Sequence, residues 1–114
     1  MDKEFFNIKW KQLTEELSTQ FQQDVDLTGI LFLVGVQEYG EGFRKFSREE
    51  KFELINLASC KLLSRYGYYN FESIDKEGFP IWIKNPEKEN ISLDKETKLL
   101  KKSIIEYFTE NEVL

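Results

Sequence analysis

The stretch Leu27 to Val36, LTGILFLVGV, carries no charge, in a chain where 32% of residues are charged. A run apolar all round cannot lie along a wet surface, so the other elements have to be arranged around it. It ends at Gln37, Glu38 and Tyr39, followed by Gly40-Glu41-Gly42. A membrane span needs roughly twenty apolar residues, about twice this length, so a buried central element is expected instead. Short apolar runs do not by themselves separate helix from strand. Helix is the preferred reading, because Asp26 offers an oxygen to cap its start and Gly40 can end it. A buried strand from Ile30 to Val36 is the alternative. In a helix, Gly29 and Gly35 each cost about 1 kcal/mol relative to Ala. Close approach of a second helix at Gly35 is the expected compensation.

The remaining elements follow from periodicity and punctuation. Phe6, Trp10, Leu13, Leu17 and Phe21 line one face of a helix over residues 4–22. Phe5 and Ile8 lie off that stripe and are candidates for a second contact. Phe43 and Phe46, after the glycines, are expected to tuck inwards. Ser47-Arg48-Glu49-Glu50 has the form of a capping box, with serine at the cap and glutamate at the third helical position. The helix it opens is expected to run to about Tyr66, with Phe52, Ile55, Ala58, Leu62 and Tyr66 on one face and Gly67 as its stop. Tyr68 to Ile74 and Phe79 to Lys84 are rich in aromatic and β-branched residues. Asp75-Lys76-Glu77-Gly78 between them is a turn sequence, so the pair reads as a β-hairpin with Pro80 towards an open edge. Asn85 and Pro86 end it. Ser92 or Asn90 can cap a last helix, Leu93 to Glu110, with Leu93, Thr97, Leu100, Ile104, Tyr107 and Phe108 on its apolar face and Lys95, Lys98, Lys101 and Lys102 on another. The expected fold is mainly α: a single domain over residues 1–114, with four helices and one β-hairpin between the third and fourth.

Ten Phe, five Tyr and two Trp supply a core large enough that no metal or disulfide is needed for folding. The chain has no histidine and only Cys60 as a thiol. That removes the commonest neutral-pH proton carrier and metal ligand, along with triad-type nucleophile systems. No catalytic residue, metal site or cofactor is therefore expected. Cys60, among Ala58 and Leu62, reads as a buried inert thiol. With 16 Lys and Arg against 21 Asp and Glu, the net charge is -5, and no long segment is strongly basic. Nucleic-acid binding, which draws on phosphate neutralisation, is disfavoured. The lysines of the last helix read as its solvated side. Gly40-Glu41-Gly42 lacks the Gly-Lys-Ser/Thr ending of a phosphate loop and carries a carboxylate where phosphate would sit. No secretory signal is apparent at MDKEFFNIKW, and a cytoplasmic location with no membrane partner is expected.

Glu38 follows Leu31 and Val34 by seven and four residues, which puts a carboxylate at the end of an apolar helical face. It is the leading candidate for a ligand contact or general base, with Arg44 and Lys45 nearby. The plainer reading is a structural carboxylate satisfied by backbone amides or by Arg44 or Lys45. Aromatic residues are enriched in interface cores, so Phe43, Tyr68, Tyr69, Phe79 and Trp82 are candidates for contact with a protein partner or a second copy of the chain.

Two resemblances accompany these readings. LINLASCKLLSRYGYYNFESIDKEGFPIWIK, Leu54 to Lys84, resembles in element order a winged-helix recognition helix running into its wing. That implies a regulator binding nucleic acid or protein. Glu49, Glu50 and Glu53 stand where such a helix would meet phosphates or bases, and the turn from Gly40 to Phe46 is longer than a usual helix-turn-helix corner. Over most of the chain, LTGILFLVGVQEYGEG, FSREEKFELINLASCKLLS, GYY and GFPIW together resemble a family of short bacterial proteins of unassigned function. That resemblance implies a small self-contained domain and no particular activity. The preferred expectation is a non-enzymatic protein-interaction domain. The alternatives are the winged-helix-like regulator and a small-ligand binder or enzyme with a pocket near Glu38.

Overall fold

The structure, a computed structural model, describes residues 3–111. Four helices, α1 (Lys3–Phe21), α2 (Leu27–Tyr39), α3 (Arg48–Leu63) and α4 (Leu93–Asn111), surround a shared core. A two-stranded antiparallel hairpin, β1 (Tyr69–Ile74) and β2 (Pro80–Lys84), stands between α3 and α4 in sequence.

The uncharged run forms α2. Asp26, in extended conformation, accepts a hydrogen bond from the Gly29 N–H at 2.9 Å, and Gly40 ends the helix in the left-handed region with φ 78°. Ile30, Leu31 and Val34 pack with residues of α1, α3 and α4 in the larger of two core clusters. Val36 belongs to the second, with Phe46, Leu54 and Leu57, against which Phe79 and Trp82 of the hairpin region rest. Helix α3 likewise contributes to both clusters. The contact between the two helices is close at Gly35, where a Cβ would lie 2.1 Å from the Leu54 carbonyl oxygen. Glycine stands there because no side chain fits.

Helix α3 begins at the capping box. Ser47 Oγ accepts from the Glu50 N–H, while the Glu50 carboxylate accepts from the Ser47 N–H. The α-helical part ends at Leu63, and Ser64–Tyr66 continues it as one tighter turn. Gly67 donates to the Ser64 carbonyl and Tyr68 to the Leu63 carbonyl, the bond pair of a Schellman stop. The chain therefore leaves in extended form straight into β1. In the hairpin turn, Asp75 Oδ1 accepts from the N–H groups of Glu77 and Phe79, both at 2.9 Å. Asn85 ties the hairpin base to the end of α3: its amide Nδ2 donates to the Gly67 carbonyl at 2.9 Å. Ser92, rather than Asn90, caps α4 by accepting from the Lys95 N–H. Among the described residues, no helix is long and apolar enough to cross a membrane.

Burial departs from the helical stripes at several positions. In α1 only Leu13 and Leu17 are fully buried, and Phe5 and Ile8 are exposed. Phe46 is buried as expected, but Phe43 is 65% exposed. Phe52 and Leu93 are also exposed, since each lies in the first turns of its helix, outside the zone that its neighbours cover. Ser103, on α4, is fully buried and donates to the Leu62 carbonyl at 3.0 Å. A small hydroxyl there lets α3 and α4 approach while keeping its polar atom paired.

Candidate functional site

Glu38 lies at the end of α2, facing α3 and α4. Its Oε2 accepts a hydrogen bond from the Tyr107 hydroxyl at 2.9 Å, and its Oε1 lies 3.8 Å from the Lys61 Nζ. Burial, and then this hydrogen bond, push the Tyr107 hydroxyl above the ordinary tyrosine range. Tyr107 therefore stays neutral and acts as the donor. Lys61 also lies over the Trp82 ring, 5.9 Å from its centroid. The group links α2, α3, α4 and β2. Chemically it is a paired carboxylate, which favours the structural reading of Glu38 over that of a base held ready for substrate.

Arg44 and Lys45 do not complete that group. Past the left-handed turn at Gly40 the chain heads back to the start of α3. There the Arg44 guanidinium pairs with the Glu50 carboxylate at 2.5 Å and stacks on the Phe46 ring at 4.4 Å. The partners of Glu38 come instead from α3 and α4, and Tyr107 lies 69 positions away in sequence, beyond the reach of any local pattern. Cys60 is buried, and desolvation lifts its thiol to about 11, so it is protonated and unreactive at neutral pH. Among the described residues, no group of His, Cys, Asp and Glu is placed to hold a metal ion.

Of the five aromatic interface candidates, Phe43 is exposed. Tyr68 and Tyr69 are half-buried against the larger cluster, and Phe79 and Trp82 against the smaller. Phe79 also meets Tyr39, with ring centroids 5.3 Å apart. The hairpin nevertheless exposes other apolar side chains that the sequence reading passed over: Phe71 at 53%, Ile74 at 60% and Ile83 at 46%. Their placement follows from the register. Phe71 pairs with Trp82 and Ile74 with Pro80 on one face, while Asn70 pairs with Ile83 and Ser73 with Ile81 on the other. Trp82 packs towards the helices, so Ile83 points outwards with Ile81 half-buried beside it; Phe71 and Ile74 share the Trp82 face but remain exposed there. The signal was present in sequence: Pro80-Ile81-Trp82-Ile83 is continuously apolar, whereas a strand with one wet face should alternate.

Two clefts flank these groups. One, of about 340 Å³, opens between α1, α2 and α4, and Gln37 and Tyr107 line it but Glu38 does not. The other, of about 420 Å³, lies between the start of α3 and the hairpin turn and gathers Glu50, Glu53, Asp75 and Glu77 around Arg44. Glu50 and Asp75 are already engaged there, by the cap and by the turn. No protein-family model, curated protein or solved structure matches this chain.

Proposed function

We propose that the protein is a non-enzymatic protein-interaction domain whose β-hairpin is the docking element. The observation that carries this reading is that β2 is apolar on both faces while the helices cover only one. Trp82 and the adjoining Phe79 hold the hairpin to the core. Ile83 is exposed on the outward face with Ile81 half-buried beside it, while Phe71 and Ile74 are exposed on the Trp82 face. Large apolar side chains left exposed on both faces of one small element mark it as a candidate contact surface. The two free strand edges are unequal. Asp75 donates to the Phe79 carbonyl, so by alternation the Ile74–Pro80 pair is a non-hydrogen-bonded one. The missing N–H of Pro80 then falls on the outer edge of β2, and Lys84 also blunts that edge. The edge of β1 is blunted by Glu72 and by an irregularity between Phe71 and Ser73, but it contains no proline, and it is the better edge for strand addition.

Nucleic-acid binding has less support. The first turn of α3 carries Glu49 and Glu50, and Glu53 is exposed beyond it. Phosphates would meet like charge at the point where a recognition helix enters a groove.

The test compares the wild type with Ile83→Lys, whose exposed position should leave the fold intact by circular dichroism. Sedimentation velocity over a concentration series reads self-association, and tagged expression with quantitative recovery of bound proteins reads other partners. Self-association, or recovery of a partner, that is lost in Ile83→Lys supports the reading. A wild type that stays monomeric at the highest concentration and recovers the same proteins as Ile83→Lys overturns it.

A further inference from the structure

We propose that the cleft between α1, α2 and α4 binds a small, uncharged, mainly apolar molecule carrying a single hydrogen-bonding group. Its volume, about 340 Å³, is at the lower end of the roughly 300–1,000 Å³ range of small-molecule sites. Its walls are side chains that a core would normally close upon, among them Leu17, Leu33, Val36 and Phe108. Leu17, Val36 and Phe108 form its buried floor, while the half-buried Phe21 and Leu33 and the exposed Phe43 leave apolar surface open to a ligand. The Tyr107 hydroxyl is turned to Glu38, so the contribution of Tyr107 to the cleft is its ring.

The chemistry of the ligand follows from what the lining offers. None of the described residues that line the cleft is charged, although 32% of the chain is. A charged molecule would lose its hydration there and find no counter-charge. The side-chain polarity is that of two amides, Gln20 and Gln37, both exposed at the rim. An amide both donates and accepts, so it suits a hydroxyl, carbonyl or amide group on an otherwise apolar body. The mouth is bordered by a glycine-flanked turn. Gly40 and Gly42, both in the left-handed region with φ 78° and 77°, precede Phe43, whose exposed ring meets the Phe21 ring at a centroid distance of 6.3 Å. Phe21 and Phe43 both line the cleft, so the turn that the two glycines permit sets where the Phe43 ring stands at its entrance.

The site is independent of the hairpin surface, and its test uses the whole chain. The neutral dye N-phenylnaphthylamine is titrated by fluorescence and then displaced by octanol, octanoate and octylamine. The expected results are saturable one-to-one binding and displacement by octanol at concentrations about tenfold lower than by either charged analogue, a difference of about 1.4 kcal/mol. Leu33→Trp, which fills the cleft, should weaken dye binding by a similar factor. Gln37→Glu, at an exposed position the fold tolerates, should shift the preference towards octylamine, and it carries the test if Leu33→Trp does not fold. Ile83→Lys should leave all of this unchanged. The proposal is overturned by non-saturable binding, by octanoate displacing the dye as readily as octanol, or by a folded Gln37→Glu variant with the wild-type ranking.

Discussion

Gly35 shows most directly how one residue sets the geometry of the core. A Cβ at this position would lie 2.1 Å from the Leu54 carbonyl oxygen and 2.7 Å from its carbonyl carbon. Both are backbone atoms of a helix, so neither can swing aside. Gly35→Ala is therefore expected to force α2 and α3 apart and to cost about 3 kcal/mol or more, the upper end for overpacking. At Gly29 the nearest atoms to an added Cβ would be 3.4 Å away, which is ordinary contact. Gly29→Ala should be neutral or stabilising by up to about 1 kcal/mol through helix propensity. Urea unfolding of the two variants checks the contrast, and equal midpoints would remove the close approach as the reason for Gly35. This glycine was legible in sequence, because an unfavourable residue inside an apolar helix demands a packing reason. The Tyr107–Glu38 bond was not, because nothing local connects two residues that only packing brings together.

At the scale of the element, the helices stand where their punctuation puts them. The start of α3 also gives its stability a pH dependence. The Arg44 guanidinium, and then the Ser47 N–H, hold the Glu50 carboxyl at about 2, below its ordinary 4.5. A carboxyl depressed on folding stabilises the folded state above its unfolded pKa, and that contribution is lost as the pH falls through the folded value. The cap should therefore weaken progressively from about pH 4.5 towards pH 2. Glu50→Gln is expected to melt at a lower temperature than the wild type at neutral pH and to lose less over that acid window. Glu110, also held low by Arg65, should leave a residual slope in both. Melting profiles that run parallel for the two proteins between those pH values would exclude Glu50 as the source. The capping box, the Schellman stop at Gly67 and the Asp75 turn were all readable beforehand, since each is completed within a few residues. The periodicity of α3 was less reliable at its ends: Phe52 satisfies the spacing yet stays exposed, its ring met by Arg48 of its own helix.

At the scale of the molecule, α2 and α3 join the two core clusters, whereas the hairpin touches the core through one face. A two-stranded sheet is marginal by itself, and in β1 every residue after Tyr69 is exposed. Native-state amide exchange should accordingly be slowest through Ile30 to Val36 and Leu57 to Leu62, and much faster in the distal hairpin from Ser73 to Ile81. Equal protection of hairpin and helices in the isolated protein would show that the outer face of the hairpin is already covered, which would count against a docking surface there. A partner that binds the hairpin should slow exchange in β1 and β2 first.

The uncharged run from Leu27 to Val36 determined by itself that one element would be buried and the others grouped around it. With the caps at Asp26 and Ser47, the stop at Gly67 and the turn at Asp75, the sequence was enough to specify four helices and a hairpin in their observed order. These features are written locally, in the hydrogen-bonding needs of helix ends and turns. Tertiary structure alone decided which apolar residues found cover. It buried Phe46 and left Phe43 outside, turned Trp82 towards the helices and Ile83 away, and paired Glu38 with Tyr107 rather than Arg44. The physical reason is that exposure belongs to a residue and its neighbours together. Residues of equal hydrophobicity have different fates when only one lies within reach of another element's surface.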